Sequence, residues 1–221
     1  MDFFKGKKVL VTAGPTWVKI DRVRVITSIF SGETGLRFAR HFSSLGCDVN
    51  LLMGPGRAKF QQSDFESMNV DYFTYFEDLE NLLDQKLDEN NYDIIIHSSA
   101  VSDYNTIDQH DGKLPSGDDQ FNIKLKTTAK LVDGIRQKAA DAFLVKFKLQ
   151  VGLKKEELLT IAHNSCNYSK AQLIVANDLD YMDGENHVAF IMEPNGDYKE
   201  AKTKESMCTV LSEEILRKSN Q

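Results

Sequence analysis

Three consecutive isoleucines, Ile94–Ile96 within "YDIIIHSSA" (residues 92–100), constrain this chain more than any other feature. Successive strand side chains point to opposite faces, so an unbroken β-branched run needs apolar cover on both sides. The same kind of run recurs in "KVLVT" (8–12), "CDVNLLMG" (47–54), "VDYFTYF" (70–76), "AFLVKF" (142–147) and "AQLIVAND" (171–178). Longer segments of helical period separate them. In "TGLRFARHFSSLG" (34–46), Leu36, Phe38, Ala39, Phe42 and Leu45 form one stripe and Gly46 stands at the C-terminal cap. Further helices are expected over 77–90, 128–140, 154–169 and 204–218, with an additional strand at "FNIKLK" (121–126). "HVAFIMEPNGDYKEAK" (187–202) reads as a hairpin with Asn195-Gly196 in a type I′ turn. Alternating strands and helices imply α/β architecture: a three-layer, Rossmann-like, doubly wound, mostly parallel sheet with a C-terminal hairpin.

The 221 residues suit one domain, 1–221, and no linker-like tract or internal repeat divides them. A net charge of −6 argues against non-specific nucleic-acid binding. No apolar run approaches the ~20 residues of a membrane span, and the short first run does not read as a signal peptide. Cys47, Cys166 and Cys208 form no CxxC and have no histidine at metal-ligand spacing, which points to small apolar roles in a reducing cytoplasm rather than a zinc site.

In doubly wound sheets ligands gather beyond the carboxyl ends of the strands. That rule brings four segments to one rim: the Gly14–Ser31 loop, "SSAVSDY" (98–104), "KFKLQ" (146–150) and "AND" (176–178). Ser31-Gly32 and Gly35 leave a helix start open to an anion, although glycines there also serve close helix–strand packing. The polar stretch near 104–119 is long enough for a mobile flap, with Lys113 able to reach a polyphosphate on closure or simply solvated. Asp103 suits ribose hydroxyls, Mg²⁺ or an Asx-turn, and Phe147 suits base stacking or the core. Lys124, Lys126 and Lys130 read either as a basic edge or as solvated lysines.

Together these stretches resemble the phosphopantothenoylcysteine synthetase family in its stand-alone form. "AGPTWVKIDRVRVITSIFSGETG" (13–35) is similar to that family's opening pattern at Gly14, Thr16, Ile20-Asp21, Val23-Arg24, Ile26, Ser31-Gly32 and Gly35. "AVSDY" (100–104), "GKLPS" (112–116), "KTTAKLV" (126–132), "VKFKL" (145–149) and "VAND" (175–178) follow in family order. The resemblance implies a ligase of coenzyme A biosynthesis and pantothenate metabolism. Such an enzyme joins 4′-phosphopantothenate to cysteine through an acyl-nucleotide, using CTP or ATP with Mg²⁺, as a cytoplasmic homodimer. It assigns Lys113 and Ser28 to catalysis. It assigns Ala100, Asp103, Lys113, Thr128, Ala129, Lys130, Leu131, Phe147 and Lys170 to the nucleotide, and Gly14, Thr16, Arg24, Ser31, Gly32, Gly35 and Asn177 to the substrate and its phosphate.

Three departures stand out. Ser28 occupies the place of a family asparagine, and a hydroxyl lacks the separate NH₂ donor and carbonyl acceptor of an amide. Lys146 replaces a usual glycine, and Val18 a glutamate. Two other readings remain open: a diverged relative that binds a nucleotide or phosphorylated acid without turnover, and a nicotinamide-dependent reductase. The missing tight GxGxxG turn counts against the reductase. Because residue 1 abuts the first strand, no preceding flavin domain and no FMN are expected.

Overall fold

The computed structural model describes residues 3–108, 110–115 and 121–220. Part of the expected flap at 104–119, including Ser116 and Gly117, lies outside them. The elements run β1 (Lys8–Ala13), β2 (Val18–Lys19), β3 (Val25–Ile26), α1 (Glu33–Ser44), β4 (Asp48–Met53), α2 (Gln62–Ser67), β5 (Asn69–Tyr72), α3 (Phe76–Glu89) and β6 (Ile94–His97). They continue with β7 (Tyr104–Thr106), β8 (Leu125–Thr127), α4 (Leu131–Lys138), β9 (Phe143–Gln150), α5 (Lys155–Tyr168), β10 (Leu173–Asp183), β11 (Asn186–Met192), β12 (Tyr198–Thr203) and α6 (Lys204–Ser219).

One eight-stranded sheet has the order β12-β11-β10-β9-β6-β1-β4-β5. From β5 to β10 every pairing is parallel; β11 and β12 are antiparallel additions at one edge. The isoleucine run becomes β6, next to the middle of the sheet. Ile94 and Ile96 join the apolar layer under α1 and α6, while Ile95 joins the layer under α3, α4 and α5. Each buried isoleucine contributes about 1.5–3 kcal/mol by area removed from water.

Several local expectations are corrected. The segment 70–76 stops as a strand at Tyr72 because the Asp78 carboxylate accepts from the Thr74 and Tyr75 N–H groups and starts α3 at Phe76. "FNIKLK" yields only β8, paired with β7 in a separate two-stranded sheet. The C-terminal turn is not type I′. Gly196 alone is left-handed, at φ 94°, and its N–H donates to the Glu193 carbonyl across Pro194-Asn195. Pro194 takes the first central position of a type I turn one residue earlier, which its fixed negative φ suits, and Gly196 follows in the left-handed region. "KFKLQ" and "AND" are strand rather than loop, since β9 and β10 stay in parallel register through Gln150 and Asp178.

Helix α1 ends where its sequence says it should. Gly46 is left-handed, the Cys47 N–H donates to Phe42 and the Gly46 N–H to Ser43, satisfying the last carbonyls.

Candidate functional site

At the carboxyl rim three chain segments are joined by hydrogen bonds. The Ala100 N–H donates to the Gly14 carbonyl and the Thr16 N–H donates back to Ala100, at 3.0 and 3.2 Å. The Ser102 N–H reaches the Thr16 hydroxyl at 2.9 Å. On its other side the same segment receives Thr128, whose N–H donates to Asp103 and whose hydroxyl donates to Ser102. Lys130 closes the seam with an exposed ion pair to Asp103. Residues 86 positions apart, such as Thr16 and Ser102, thereby become one wall.

Beside that wall opens a cavity of about 600 Å³. Its floor is the start of α1. Gly32, the N-cap residue, is left-handed at φ 85° and carries no side-chain cap, so the first turn points N–H groups at the cavity. The Ser31 hydroxyl accepts from the Glu33 N–H and the Ser31 carbonyl from the Ala58 N–H. A Cβ on Gly35 would lie 2.3 Å from the Ala13 Cβ, so the close packing of helix on strand needs this glycine. The opposite side is formed by Phe147, Lys148 and Leu149 of β9 and by Asn177 near where β10 leaves its parallel pairing with β9. Phe147 meets Phe38 of α1 edge-on, 5.6 Å between centroids, so it is both core and cavity wall.

Gly14, Ser31, Gly32, Gly35, Ala100, Asp103, Phe147 and Asn177 all line this one cavity. Thr16 is buried behind it as the seam residue, and Thr128, Ala129 and Lys130 lead into α4. Leu131 is core beneath that helix. Lys170 is not brought to the cavity: it precedes β10, at the amino end of the sheet, with a left-handed φ of 52° after α5.

Arg24, Ser28 and Lys113 also lie off the cavity wall. The Asp21 carboxylate, fully buried, accepts from the Val23 and Arg24 N–H groups, from the Arg24 guanidinium and from the Leu114 N–H at 3.0 Å. Arg24 in turn donates to the Leu114 carbonyl at 3.1 Å. Arg24, first, and the backbone donors hold the Asp21 carboxyl well below the usual carboxylate range. This clamp spans 93 positions and pins the chain one residue beyond the exposed Lys113. Ser28 lines a second depression with Trp17, Phe30 and Arg57, and its buried hydroxyl has no partner among the described residues.

A family model for the C-terminal domain of the DNA/pantothenate metabolism flavoprotein matches residues 4–218. The chain belongs to this family. The coenzyme A biosynthesis bifunctional protein CoaBC of Thermococcus kodakarensis is 33% identical over 188 residues, covering 85% of this chain and 45% of that protein. The chain thus spans less than half the length of that relative. The crystal structure of the DNA/pantothenate metabolism flavoprotein from Streptococcus pneumoniae superposes with a TM-score of 0.85 at 28% identity, covering 96% of this chain and 99% of that one. A Cab2 mutant complexed with phosphopantothenate-cysteine shares the fold, with a TM-score of 0.75 at 18% identity over 97% of this chain and 89% of that one.

Within this family member the third wall was not legible in the sequence. Met182, Gly184, His187 and Lys204, from the β10–β11 hairpin and the start of α6, line the same cavity. The hairpin tip is tied to α1 by Arg37, which bonds both Glu33 and Glu185. Ser98 and Ser99 also line the cavity, and the Ser99 hydroxyl has no partner among the described residues. Behind them His97 bonds the Thr12 hydroxyl; burial, helped by Lys146, pushes it down to about 4.

Mg²⁺ is the metal that the family resemblance implies. Among the described residues no group of three or more His, Cys, Asp or Glu is arranged to hold an ion. The carboxylates on the cavity wall, Asp103 and Glu33, are paired with Lys130 and Arg37. These residues do not fit a resident metal site.

Proposed function

We propose that this chain is a phosphopantothenate–cysteine ligase acting through an acyl-nucleotide formed from CTP or ATP. The observation that carries this reading is the convergence of an uncapped helix start, the Asp103–Lys130 pair, Phe147 and Asn177 on one cavity. An uncapped helix start suits a phosphate, an aromatic face suits a base, and a carboxylate suits ribose hydroxyls. In the first step a carboxylate oxygen of phosphopantothenate bonds to the α-phosphorus and pyrophosphate leaves. In the second the cysteine amine bonds to the acyl carbon, the nucleotide monophosphate leaves, and the amine sheds a proton. Attack of one anion on another needs cationic offset, the role proposed for Lys113.

Ser28, Arg24 and Lys113 stand away from the cavity of their own chain. Around them Val23, Ile26, Tyr104, Ile107, Phe121 and Leu125 are exposed, and so is Ile29 between the Ser28 depression and the cavity, an apolar surface unusual in water. A homodimer that covers this face and carries Ser28 and Lys113 toward the partner's cavity accounts for both facts. Ser28 favours a second reading as well: with no amide at this position, the protein binds nucleotide and phosphorylated acid without completing the amide.

The deciding experiment supplies purified protein with phosphopantothenate, Mg²⁺ and CTP or ATP, with and without cysteine, and follows pyrophosphate and product mass. Catalytic pyrophosphate with a cysteine-dependent amide supports the ligase. Stoichiometric pyrophosphate with a trapped acyl-nucleotide places the defect in the second step and selects the binding relative. Nucleotide binding with no pyrophosphate overturns the ligase reading. Sedimentation of the wild type and Ile29→Lys tests the dimer, with a shift to monomer expected for the variant.

A further inference from the structure

The strongest unassigned pair on the cavity wall is Asn177 and His187. Both are nearly inaccessible, 7% and 6% exposed, and both line the cavity. The Asn177 side-chain nitrogen lies 3.0 Å from the His187 Nε2. An amide nitrogen can only donate, so Nε2 must be the unprotonated acceptor and the ring proton must sit on Nδ1. With its NH₂ turned to the ring, the Asn177 amide turns its carbonyl oxygen the other way. No partner for that oxygen is found among the described residues, although Asn177 borders the open cavity.

We propose that His187 is a positioning residue that locks the Asn177 amide with its carbonyl toward the cavity, making this wall a hydrogen-bond acceptor for an N–H or O–H donor of the bound ligand. The lock requires a neutral ring. Burial, then the nearby Lys204 ammonium, pushes His187 down to about 4, so the ring remains neutral across the physiological range. Lys204 sits at the start of α6, where it donates to the Gly184 carbonyl. The other charged groups bordering this wall are Glu185 on the hairpin, Glu33 and Arg37 on α1, Lys148 on β9 and Asp103 across the cavity. A protonated imidazole would donate from Nε2 and force the amide to turn, presenting NH₂ to the ligand instead.

The donor that meets this carbonyl belongs either to the nucleotide or to the pantothenate portion; that half of the inference rests on the ligase reading, whereas the tautomer does not. The test has two arms. Long-range ¹H–¹⁵N spectra of the ¹⁵N-histidine-labelled wild type, with the His187 signals assigned by their loss in His187→Gln, report which ring nitrogen carries the proton. An Nδ1–H tautomer is expected. An Nε2–H tautomer means the amide is turned and overturns the proposal. In the second arm, calorimetric Kd values for CTP and for phosphopantothenate are compared in wild type, His187→Gln and His187→Leu. Gln carries an acceptor in place of Nε2 and should stay within about two-fold, while Leu should weaken the ligand bearing the donor about five- to ten-fold. The ligand that weakens is the one Asn177 reads. Equal Kd values for Leu and wild type overturn the positioning role, as does a loss in Gln as large as that in Leu. If neither ligand binds the wild type, the ligase reading fails, and the tautomer still decides the orientation of the amide.

Discussion

Ile96, inside the central strand β6, is completely buried, whereas Ile29, on the loop after hairpin β2–β3, is 83% exposed. The two residues represent two ways of holding a structure together. The eight-stranded sheet is fixed by apolar layers on both faces, so its geometry follows from burial spread over many side chains. The β2–β3 and β7–β8 hairpins have little core of their own and hang on polar ties: Asp21 to Arg24 and Leu114, Thr106 to Lys19, and Asn105 to Glu77. The residues expected to bind ligand lie chiefly on the first region. Those expected to catalyse, Ser28 and Lys113, lie on the second. A precise sheet with a few-contact attachment suits a site whose binding surface is rigid and whose reacting groups are delivered from elsewhere.

The largest effect that separates the regions is on stability. Ile96→Ala should cost about 2–5 kcal/mol by lost burial and a residual cavity, against about 0.5 kcal/mol or less for Ile29→Ala at the surface of the monomer. Urea midpoints at protein concentrations low enough to dissociate any dimer check this; comparable losses would erase the distinction. Asp21→Asn tests the opposite bias. Without its charge the Arg24–Leu114 clamp loosens, and pyrophosphate formation should fall about 100-fold through misplacement of Lys113. The thermal midpoint should fall as well, because a buried, ion-paired carboxylate gives up its charge-assisted hydrogen bonds, and the Leu114 amide should exchange faster. Unchanged turnover in this variant would remove the clamp from function.

On the sheet side, Phe147→Ala should weaken nucleotide binding about ten-fold if a base rests on the ring, the scale of one stacking contact. Calorimetry reads this directly, and an unchanged Kd would leave Phe147 as core alone. The smallest effect is a slope. His97 and His187 are held near 4 in the folded chain, chiefly by burial, against an ordinary value of 6.5. As pH falls from 6.5 toward 4 the unfolded chain takes up these protons and the folded chain does not, so stability declines through that window and levels off below it. Each histidine contributes about 1.4 kcal/mol per pH unit at most. His97→Asn should therefore reduce the slope of urea midpoint against pH between 6 and 4.5, leaving the part due to His187 and to His41, which burial also lowers; an unaltered slope would show that burial of His97 is not its source.

Some of this was readable from local pattern alone. The isoleucine run, the alternation of strand and helix, and the left-handed glycines at 14 and 32 encode their conformation within a few residues, because strand period, helix period and left-handed turns are local properties. Parallel topology then placed Ala100, Asp103, Phe147 and Asn177 at one rim without any knowledge of contacts. The proline before Asn195 was in plain view and still outweighed the Asn-Gly signal, since proline at a first central position draws the turn one residue earlier.

What the sequence determined by itself was the layered sheet, its rim and the identity of the residues at its strand ends. Tertiary structure alone decided that Arg24 directs its charge to Asp21 rather than to a phosphate, that Ser28 lines a neighbouring depression and not the cavity, that Lys170 sits at the far end of the sheet, and that His187 turns the Asn177 amide. The physical reason is distance along the chain. Burial and backbone periodicity act on neighbours, whereas the partners of a charge or an amide are set by which strands and loops the fold brings within about 3 Å of it.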